Sequence, residues 1–270
     1  MELKRLLIIL ICFTFTGMTY ADLDDNLLDD NLIAHWSFNG NVEDVSGNEH
    51  HGEVKGTTLE EALVKDRFWI PDHAFSFDGE DVYIRVPLSN TLDIVTNQIS
   101  ISVWINLTEP FGGYVYPQHY IFDSRDGEGG YAFNADIDIV QFWVGPDPVT
   151  FLVNMQSKEW HHLVLTYNRT FATLYVNGEF NSKTYFTEHF IATTGPFWIG
   201  QRFNFIERFY GKMDELRIYD RIISEDEIEE LYEEEPGPDD PEPEPPEDPD
   251  PTVIVVKTGS AGGCFMETIK

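Results

Sequence analysis

Short runs in which apolar and polar residues alternate recur along most of the chain. In residues 32–38 every second side chain from Leu32 to Phe38 is apolar, whereas His35 and Ser37 point to the opposite face. A period of two is typical of strands that bury one face. Similar runs occupy residues 74–77, 82–86, 99–105, 131–135, 137–144, 160–167, 174–176 and 213–219. Repeated short strands bounded by Gly, Asn, Asp and Pro predict an all-β sandwich or barrel.

Two local signals refine this outline. Asn177-Gly178 supplies the positive φ angles of a tight hairpin turn. Ser224 is positioned to cap a helix, because Glu227 follows three residues later and can bind the Ser224 amide in return. We therefore expect one short helix over residues 224–232, packed on the edge of the sheets. The strand positions of four tryptophans indicate core packing: Trp36, Trp104, Trp160 and Trp198.

Both ends of the chain differ from the central region. Residues 1–21 combine a basic start, an apolar run and a small-residue end at Ala21, which predicts a cleaved secretory signal peptide. The apolar run is shorter than the about 20 residues that a membrane-spanning helix needs. Residues 22–31 are acidic and are expected to form a solvated leader rather than packed structure. The protein is thus expected to be secreted or held at the cell surface.

The C-terminal part begins with an acidic linker. Residues 233–251 are almost entirely Glu, Asp and Pro, which predicts an extended, disordered spacer. Residues 252–270 form a tail with a Gly-rich motif around Cys264. Because the other cysteine, Cys12, is removed with the signal peptide, no disulfide within the mature chain is expected. Cys264 is then an attachment site, an interchain disulfide or a free thiol.

Charge restricts the range of partners. The 270 residues have a formal net charge of −31. Such an acidic chain repels phosphate backbones and anionic membrane surfaces, so nucleic acid is not an expected partner. The apolar fraction of 42% supplies a core that needs neither disulfides nor metal for stability.

Several segments, taken together, resemble the laminin-G-like jelly-roll domain of the concanavalin A-like lectin/glucanase superfamily. In chain order these segments are AHWSFNGN at 34–41, AFSFDG at 74–79, WHHLV at 160–164, LYVNG at 174–178 and GKMDELRIY at 211–219. The resemblance covers about residues 32–232 and implies two antiparallel sheets packed face to face. It implies a binding module but does not identify the ligand, since one fold hosts many functions.

The leading functional hypothesis is a non-catalytic module that binds extracellular carbohydrate or glycoprotein. One alternative is a glycoside hydrolase, because hydrolases of this superfamily carry acidic residues on alternate positions of one strand. Asp136 and Asp138 fit the start of that pattern, but Val140 stands where a third carboxylate is needed. Another alternative is a purely structural surface protein.

A calcium ion is the candidate cofactor, because hard cations take oxygen ligands from Asp, Asn and backbone carbonyls on loops. The first and last strands of the family lie side by side, which is expected to bring together Asn39, Asn41, Asp44 and Asp214. The alternative is that the two asparagines form a turn and Asp214 binds backbone amides. The adjacent His161 and His162 are a weaker metal pair, because neighbours on a strand face opposite ways. We expect one of them in the core and one on the surface.

Loop aromatics are the candidate sugar-binding residues, because aromatic rings stack on the apolar faces of sugar rings. The candidates are Tyr114 and Tyr116 in one loop, and Phe203 and Phe205 in another. Asp126 lies in an acidic loop that resembles the calcium-dependent ligand site of pentraxins, although Arg202 in a later loop would oppose a cation there.

Overall fold

The structure is a computed structural model that describes residues 28–89, 92, 98–108, 119–125, 129–144, 147–187, 195–202, 207–237, 240–241 and 243, together with the backbone of 256–258 and 264–266. The strands are β1 Leu32–Trp36, β2 Glu53–Lys55, β3 Leu63–Val64, β4 Ala74–Asp78, β5 Tyr83–Val86, β6 Ile99–Leu107, β7 His119–Asp123, β8 Tyr131–Ala135, β9 Ile139–Val144, β10 Pro148–Leu152, β11 Trp160–Tyr167, β12 Phe171–Val176, β13 Glu179–Tyr185, β14 Phe197–Ile199, β15 Tyr210–Tyr219, β16 Val256–Thr258 and β17 Cys264–Met266. The helices are α1 Leu59–Ala62 and α2 Glu225–Glu233.

Two antiparallel sheets form a sandwich, as predicted. Sheet 1 has the order β13-β12-β11-β6-β15-β4-β3, with β1 also paired to β15. Sheet 2 has the order β10-β9-β8-β7-β14-β5-β2. Every pairing between neighbouring strands is antiparallel. The separate strands β16 and β17 pair with each other, with Thr258 opposite Cys264.

The core lies between the sheets and is built from the inward face of each strand. Phe197 of sheet 2 stacks on Trp36 of sheet 1, with ring centres 5.6 Å apart, and on Phe122, at 4.7 Å. Alternation explains why these strands form, since each buries one apolar face and leaves the other for solvent or a covering segment. Asn177 and Gly178 both have positive φ, of 53° and 76°, and form the predicted hairpin turn between β12 and β13.

A second, smaller apolar cluster lies on the outer face of sheet 1. Helix α2 packs there through Ile228 and Leu231, against Tyr219 and with Leu28 at the margin. The expectation that residues 22–31 are unpacked is therefore wrong for residue 28, because Leu28 finds an apolar surface beside the helix. The helix is capped by Ser224 and Glu227 as predicted, and it ends at Glu233, one residue later than expected.

We expected one of the adjacent His161 and His162 in the core and the other on the surface, but both are buried. His162 faces outward from sheet 1, but its ring is covered because it stacks beside Trp104 and Tyr232. Within the described residues, no helix is both long and apolar enough to cross a membrane.

Candidate functional site

The outer face of sheet 2 presents a straight row of side chains across its strands. Trp143 pairs with Ala132, Ala132 with Asp123, Asp123 with Trp198, and Trp198 with Arg85. The two tryptophans are half-buried and alternate with inward core residues along β9 and β14. They are three strands apart, which corresponds to about 14 Å at the usual spacing between strands.

Arg125 lies over the middle of this row. Its side chain donates to both oxygens of Asp123, from Nε and Nη2, each at 2.9 Å. Its guanidinium carbon is 4.5 Å from the centre of the Trp143 ring and 5.6 Å from that of Tyr120. Burial opposes the charge of Arg125, but the hydrogen bonds and negative charge of Asp123 outweigh burial and raise the pKa of Arg125. Arg125 is therefore a fixed, planar and mostly buried cation beside Trp143.

An amide ladder borders the row. Asn134 Oδ1 accepts a hydrogen bond from Trp143 Nε1 at 2.8 Å, and Asn134 Nδ2 donates to Gln141 Oε1 at 3.2 Å. Gln141 Nε2 in turn donates to Thr150 Oγ1 at 3.1 Å. The chain of bonds fixes the Trp143 ring and leaves Gln141 half-buried, with further hydrogen-bonding capacity.

A second aromatic pair lies at the other end of the row. The rings of Trp198 and Tyr83 meet edge to face, with centres 5.6 Å apart, and both side chains are half-buried. Aromatic surfaces together with amides and a guanidinium are the groups that recognise polyhydroxyl ligands, since rings contact C–H faces and polar groups bind hydroxyls.

The sequence did not identify this row. Trp198 was expected in the core, but it lies on the outer face, because its neighbours Phe197 and Ile199 take the inward positions. Trp160 is likewise only half-buried, and Trp104 lies under Arg67 and Tyr232 on the outer face of sheet 1. The alternation of β9 contained a signal for this face. Trp143 lies on the same face of the strand as polar Gln141, whereas Phe142 lies on the face that packs in the core.

The predicted ligand-binding residues Tyr114, Tyr116, Asp126, Phe203 and Phe205 lie outside the described residues. Their role stays a prediction. The same holds for the side chain of Cys264, of which only the backbone in β17 is described.

The predicted calcium ligands have other partners. The strand pairing is as expected, with Leu32 opposite Tyr219 in β1 and β15. The Asp44 carboxylate, however, accepts hydrogen bonds from the backbone amides of His35, Ser46 and His50, each at 2.9 Å. Burial works against its charge, but these bonds outweigh burial and lower the pKa of Asp44.

The other three predicted calcium ligands also have partners within the protein. Asn41 Oδ1 accepts from the Glu43 amide at 2.8 Å, and Asn41 Nδ2 donates to the Asn39 carbonyl at 3.0 Å, so Asn39 and Asn41 form a turn. Asp214 Oδ2 accepts from Arg67 Nη1 at 2.6 Å. In the described part of the chain, no group of three or more His, Cys, Asp or Glu side chains is arranged to hold a metal ion. Calcium binding stays a prediction.

The carboxylates considered for hydrolysis do not share a strand. Strand β9 begins at Ile139, so Asp136 and Asp138 lie in the turn that follows β8. The Asp136 carboxylate accepts a hydrogen bond from the Ile137 amide at 2.7 Å. The alternating arrangement of acid and nucleophile that such hydrolases use is therefore not formed by this pair.

Comparison with known families agrees with this architecture. A laminin-G-type family model described as "Concanavalin A-like lectin/glucanases superfamily" matches residues 78–229. The chain belongs to this superfamily. The comparison with curated proteins found no match.

Solved structures with the same fold include binding domains. The binding domain of Paraclostridial Mosquitocidal Protein 1 is 18% identical, with a TM-score of 0.60 over 76% of this chain and 52% of that one. The receptor binding domain of botulinum neurotoxin C/D mosaic serotype is 17% identical, with a TM-score of 0.62 over 76% of this chain and 51% of that one. The chain spans about half the length of these toxin domains.

A third solved structure is matched over almost its whole length. Domain 4 of AbnA, an extracellular arabinanase of family GH43 from Geobacillus stearothermophilus, was solved in complex with arabinotriose. It is 21% identical, with a TM-score of 0.55 over 75% of this chain and 98% of that domain. At these identities the likeness shows the fold. The superfamily domain thus resembles both receptor-binding and carbohydrate-binding domains.

Proposed function

We propose that this protein is an exported, non-catalytic module that binds carbohydrate, free or on a glycoprotein, through the outer face of sheet 2. The observation that supports this most is the row in which Trp143 and Trp198 flank Asp123 and Arg125. Two half-buried rings on one line, about 14 Å apart from the strand spacing, suit a linear oligosaccharide better than a single sugar ring.

Several features favour a sugar over other ligands. The half-buried amide of Gln141 is held in place by hydrogen bonds with Asn134 and Thr150, so little order is lost when a ligand binds it. Asn134 and Arg125 are buried and fix the position of Trp143. The net charge of −31 disfavours polyanions. The complex of an arabinanase domain of the same fold with arabinotriose gives a precedent for an uncharged oligosaccharide.

A glycan array tests the proposal with three proteins. The full chain is compared with the double variant Trp143→Ala/Trp198→Ala and with Trp69→Ala, in which an exposed tryptophan away from the row is removed. We expect the double variant to bind at least about tenfold more weakly, since a stacked ring contributes on the order of 1 kcal/mol beyond its buried area. Trp69→Ala is expected to bind as the full chain does.

Each alternative predicts a different result. Release of new reducing ends from a bound glycan, at a rate above that of buffer, would indicate the hydrolase. No binding to any glycan would favour the structural surface protein. Binding that survives in the double variant would place the ligand elsewhere, and the loops with Tyr114, Tyr116, Phe203 and Phe205 would then be the next candidates.

A further inference from the structure

A second concave site lies on the opposite side of the sandwich. Its cavity, of about 370 Å³, lies between the loop that follows β3, the middle of β15, and the segment that follows α2. Arg67 and Phe68 form one wall, Asp214 lies at the base, and Glu234 and Asp240 belong to the covering segment. None of these residues belongs to the tryptophan row.

Asp214 at the base is almost completely buried, with 1% of its surface exposed. One of its oxygens, Oδ2, binds Arg67 Nη1 at 2.6 Å. The other, Oδ1, is buried and has no hydrogen-bond partner in the described part of the chain. A buried carboxylate oxygen without a partner is costly, and a hydrogen-bond donor placed against Oδ1 would remove that cost. Burial and the charge of Glu215 raise the pKa of Asp214, which shows the same strain on the ionised form.

The walls have an excess of negative charge. Two arginines line the cavity, and both already bind carboxylates: Arg67 binds Asp214, and Arg217 binds Glu215 and Glu234. The Asp66 carboxylate accepts hydrogen bonds from the backbone amides of Phe68 and Ile70. The lining carboxylates are Asp66, Asp214, Glu215, Glu234, Glu235 and Asp240. They outnumber the two arginines. The other basic groups are His35, whose Nε2 is 2.5 Å from Glu215 Oε2, and His73, whose Nε2 is 3.6 Å from Asp240 Oδ1.

The carboxylates of the cavity are distributed over its walls. No described group of three or more His, Cys, Asp or Glu side chains is arranged to hold a metal ion, so the carboxylates are spread around the cavity rather than focused on one point. A spread of acceptors suits a cation whose several N–H groups point in different directions, which is an ammonium group.

We propose that this cavity binds a small primary ammonium compound, of the size of an amino sugar, whose ammonium group donates to Asp214 Oδ1. The pairing gives the buried oxygen a charge-assisted hydrogen bond, and the excess of wall carboxylates offsets the cost of taking the cation out of water. The cavity, of about 370 Å³, has room for one such molecule, and Glu234 and Asp240 line it together with Asp214.

Calorimetry with a matched pair of probes tests the proposal. Glucosamine and glucose have almost the same shape and differ in one amine and one hydroxyl. The titrations use the Trp143→Ala/Trp198→Ala chain, so sugar binding at the row does not contribute. We expect glucosamine to bind at least about tenfold more tightly than glucose, as hydrogen bonds to charged groups contribute roughly this factor. Equal binding of the two probes, or no binding of glucosamine, overturns the proposal.

Variants then locate the site. Asp214→Asn is expected to weaken glucosamine binding by about tenfold or more, because the amide keeps the shape and loses the charge. Since Arg67 also loses its partner in that variant, Glu235→Gln is the second test; Glu235 is exposed at the rim, and we expect a several-fold loss. Glu179→Gln, on the exposed edge strand β13, is the matched control. Glucosamine binding that is unchanged by Glu235→Gln and by a folded Asp214→Asn would rule the cavity out.

Discussion

Arg217 holds the carboxylate of Glu234 through two hydrogen bonds, of 2.9 Å from Nη1 to Oε2 and 2.8 Å from Nη2 to Oε1. Arg217 belongs to the last strand of sheet 1, and Glu234 lies in the segment that was expected to be a free acidic linker. The Asp240 carboxylate, six residues on, lies 3.6 Å from His73. The folded domain therefore continues past residue 232.

Removing the Glu234 charge is expected to destabilise the fold. Glu234→Gln takes one of two carboxylates from Arg217, which is buried and keeps only Glu215 as an anionic partner. We expect the free energy of unfolding to fall by about 1–3 kcal/mol. Urea denaturation measures it, and Glu233→Gln, on the neighbouring exposed residue, is the control. Equal stability of the two variants would contradict a role for this contact.

Substitution of Asp44 distinguishes calcium binding by this residue from a purely structural role. Asp44→Ala removes the acceptor of three backbone amides, so we expect a loss of about 1–3 kcal/mol of stability even with a chelator present. The variant and the unaltered chain are melted with chelator and with excess calcium. A loss that occurs only with calcium would instead identify Asp44 as a metal ligand, since calcium stabilises a native state that binds it.

His162 is expected to make the fold sensitive to mild acid. Burial, together with the positive charges of Arg217 and Arg67, lowers the pKa of His162 from 6.5 to about 3. Between these values the unfolded chain binds a proton that the native chain does not, so stability falls as the pH decreases through this window, by at most about 1.4 kcal/mol per pH unit. Buried His50 and His119 have pKa values shifted in the same direction.

The His162 contribution is isolated by substitution. His162→Gln retains a partner for Ser102 Oγ, which lies 2.8 Å from His162 Nε2, and removes the titrating group. The free energy of unfolding is measured at about pH 7 and about pH 5, and we expect a smaller decrease in the variant than in the unaltered chain. His51→Gln, at an exposed histidine whose Nδ1 accepts a hydrogen bond from the Asp44 amide, serves as the control. A decrease of the same size in all three proteins would contradict the assignment.

Cys264 is tested by its replacement. Three states remain open for this residue: an attachment site, an interchain disulfide or a free thiol. Cys264→Ser is compared with the unaltered protein for the cell-bound fraction and for mobility on non-reducing gels. Increased release indicates attachment, loss of a dimer band indicates a disulfide, and no change in either indicates a free thiol.

Local pattern predicted many of the strands that bury one face, but it missed β10, which alternates in the same way. Strands β8 and β11 have the predicted bounds, since turns mark both of their ends. Strand β7 was missed because its three central residues, Tyr120, Ile121 and Phe122, are all apolar, so its sequence shows no alternation. Strand β13 was missed because it is a mostly exposed edge strand with a polar centre, and only its pairing with β12 identifies it.

The candidate sites depended on contacts that no local pattern contains. The tryptophan row exists because β14 pairs with β7 in sheet 2, although the two strands are far apart in the chain. This pairing places Trp198 beside Asp123. The partner of Asp214 is Arg67, 147 positions earlier in the chain. The pairing of β1 with β15 was predicted correctly. The carboxylates near these strands, however, bind backbone amides and an arginine, and the sequence did not predict these contacts.

The direction in which the chain leaves the domain has a consequence for presentation. Because Glu234 is fixed to the outer face of sheet 1, the Pro-rich residues that follow start from the back of the sandwich, while Trp143 and Trp198 face the front. The segment that begins at Glu234 therefore lies away from sheet 2, and a ligand can reach both tryptophans without contact with Glu234 or Asp240.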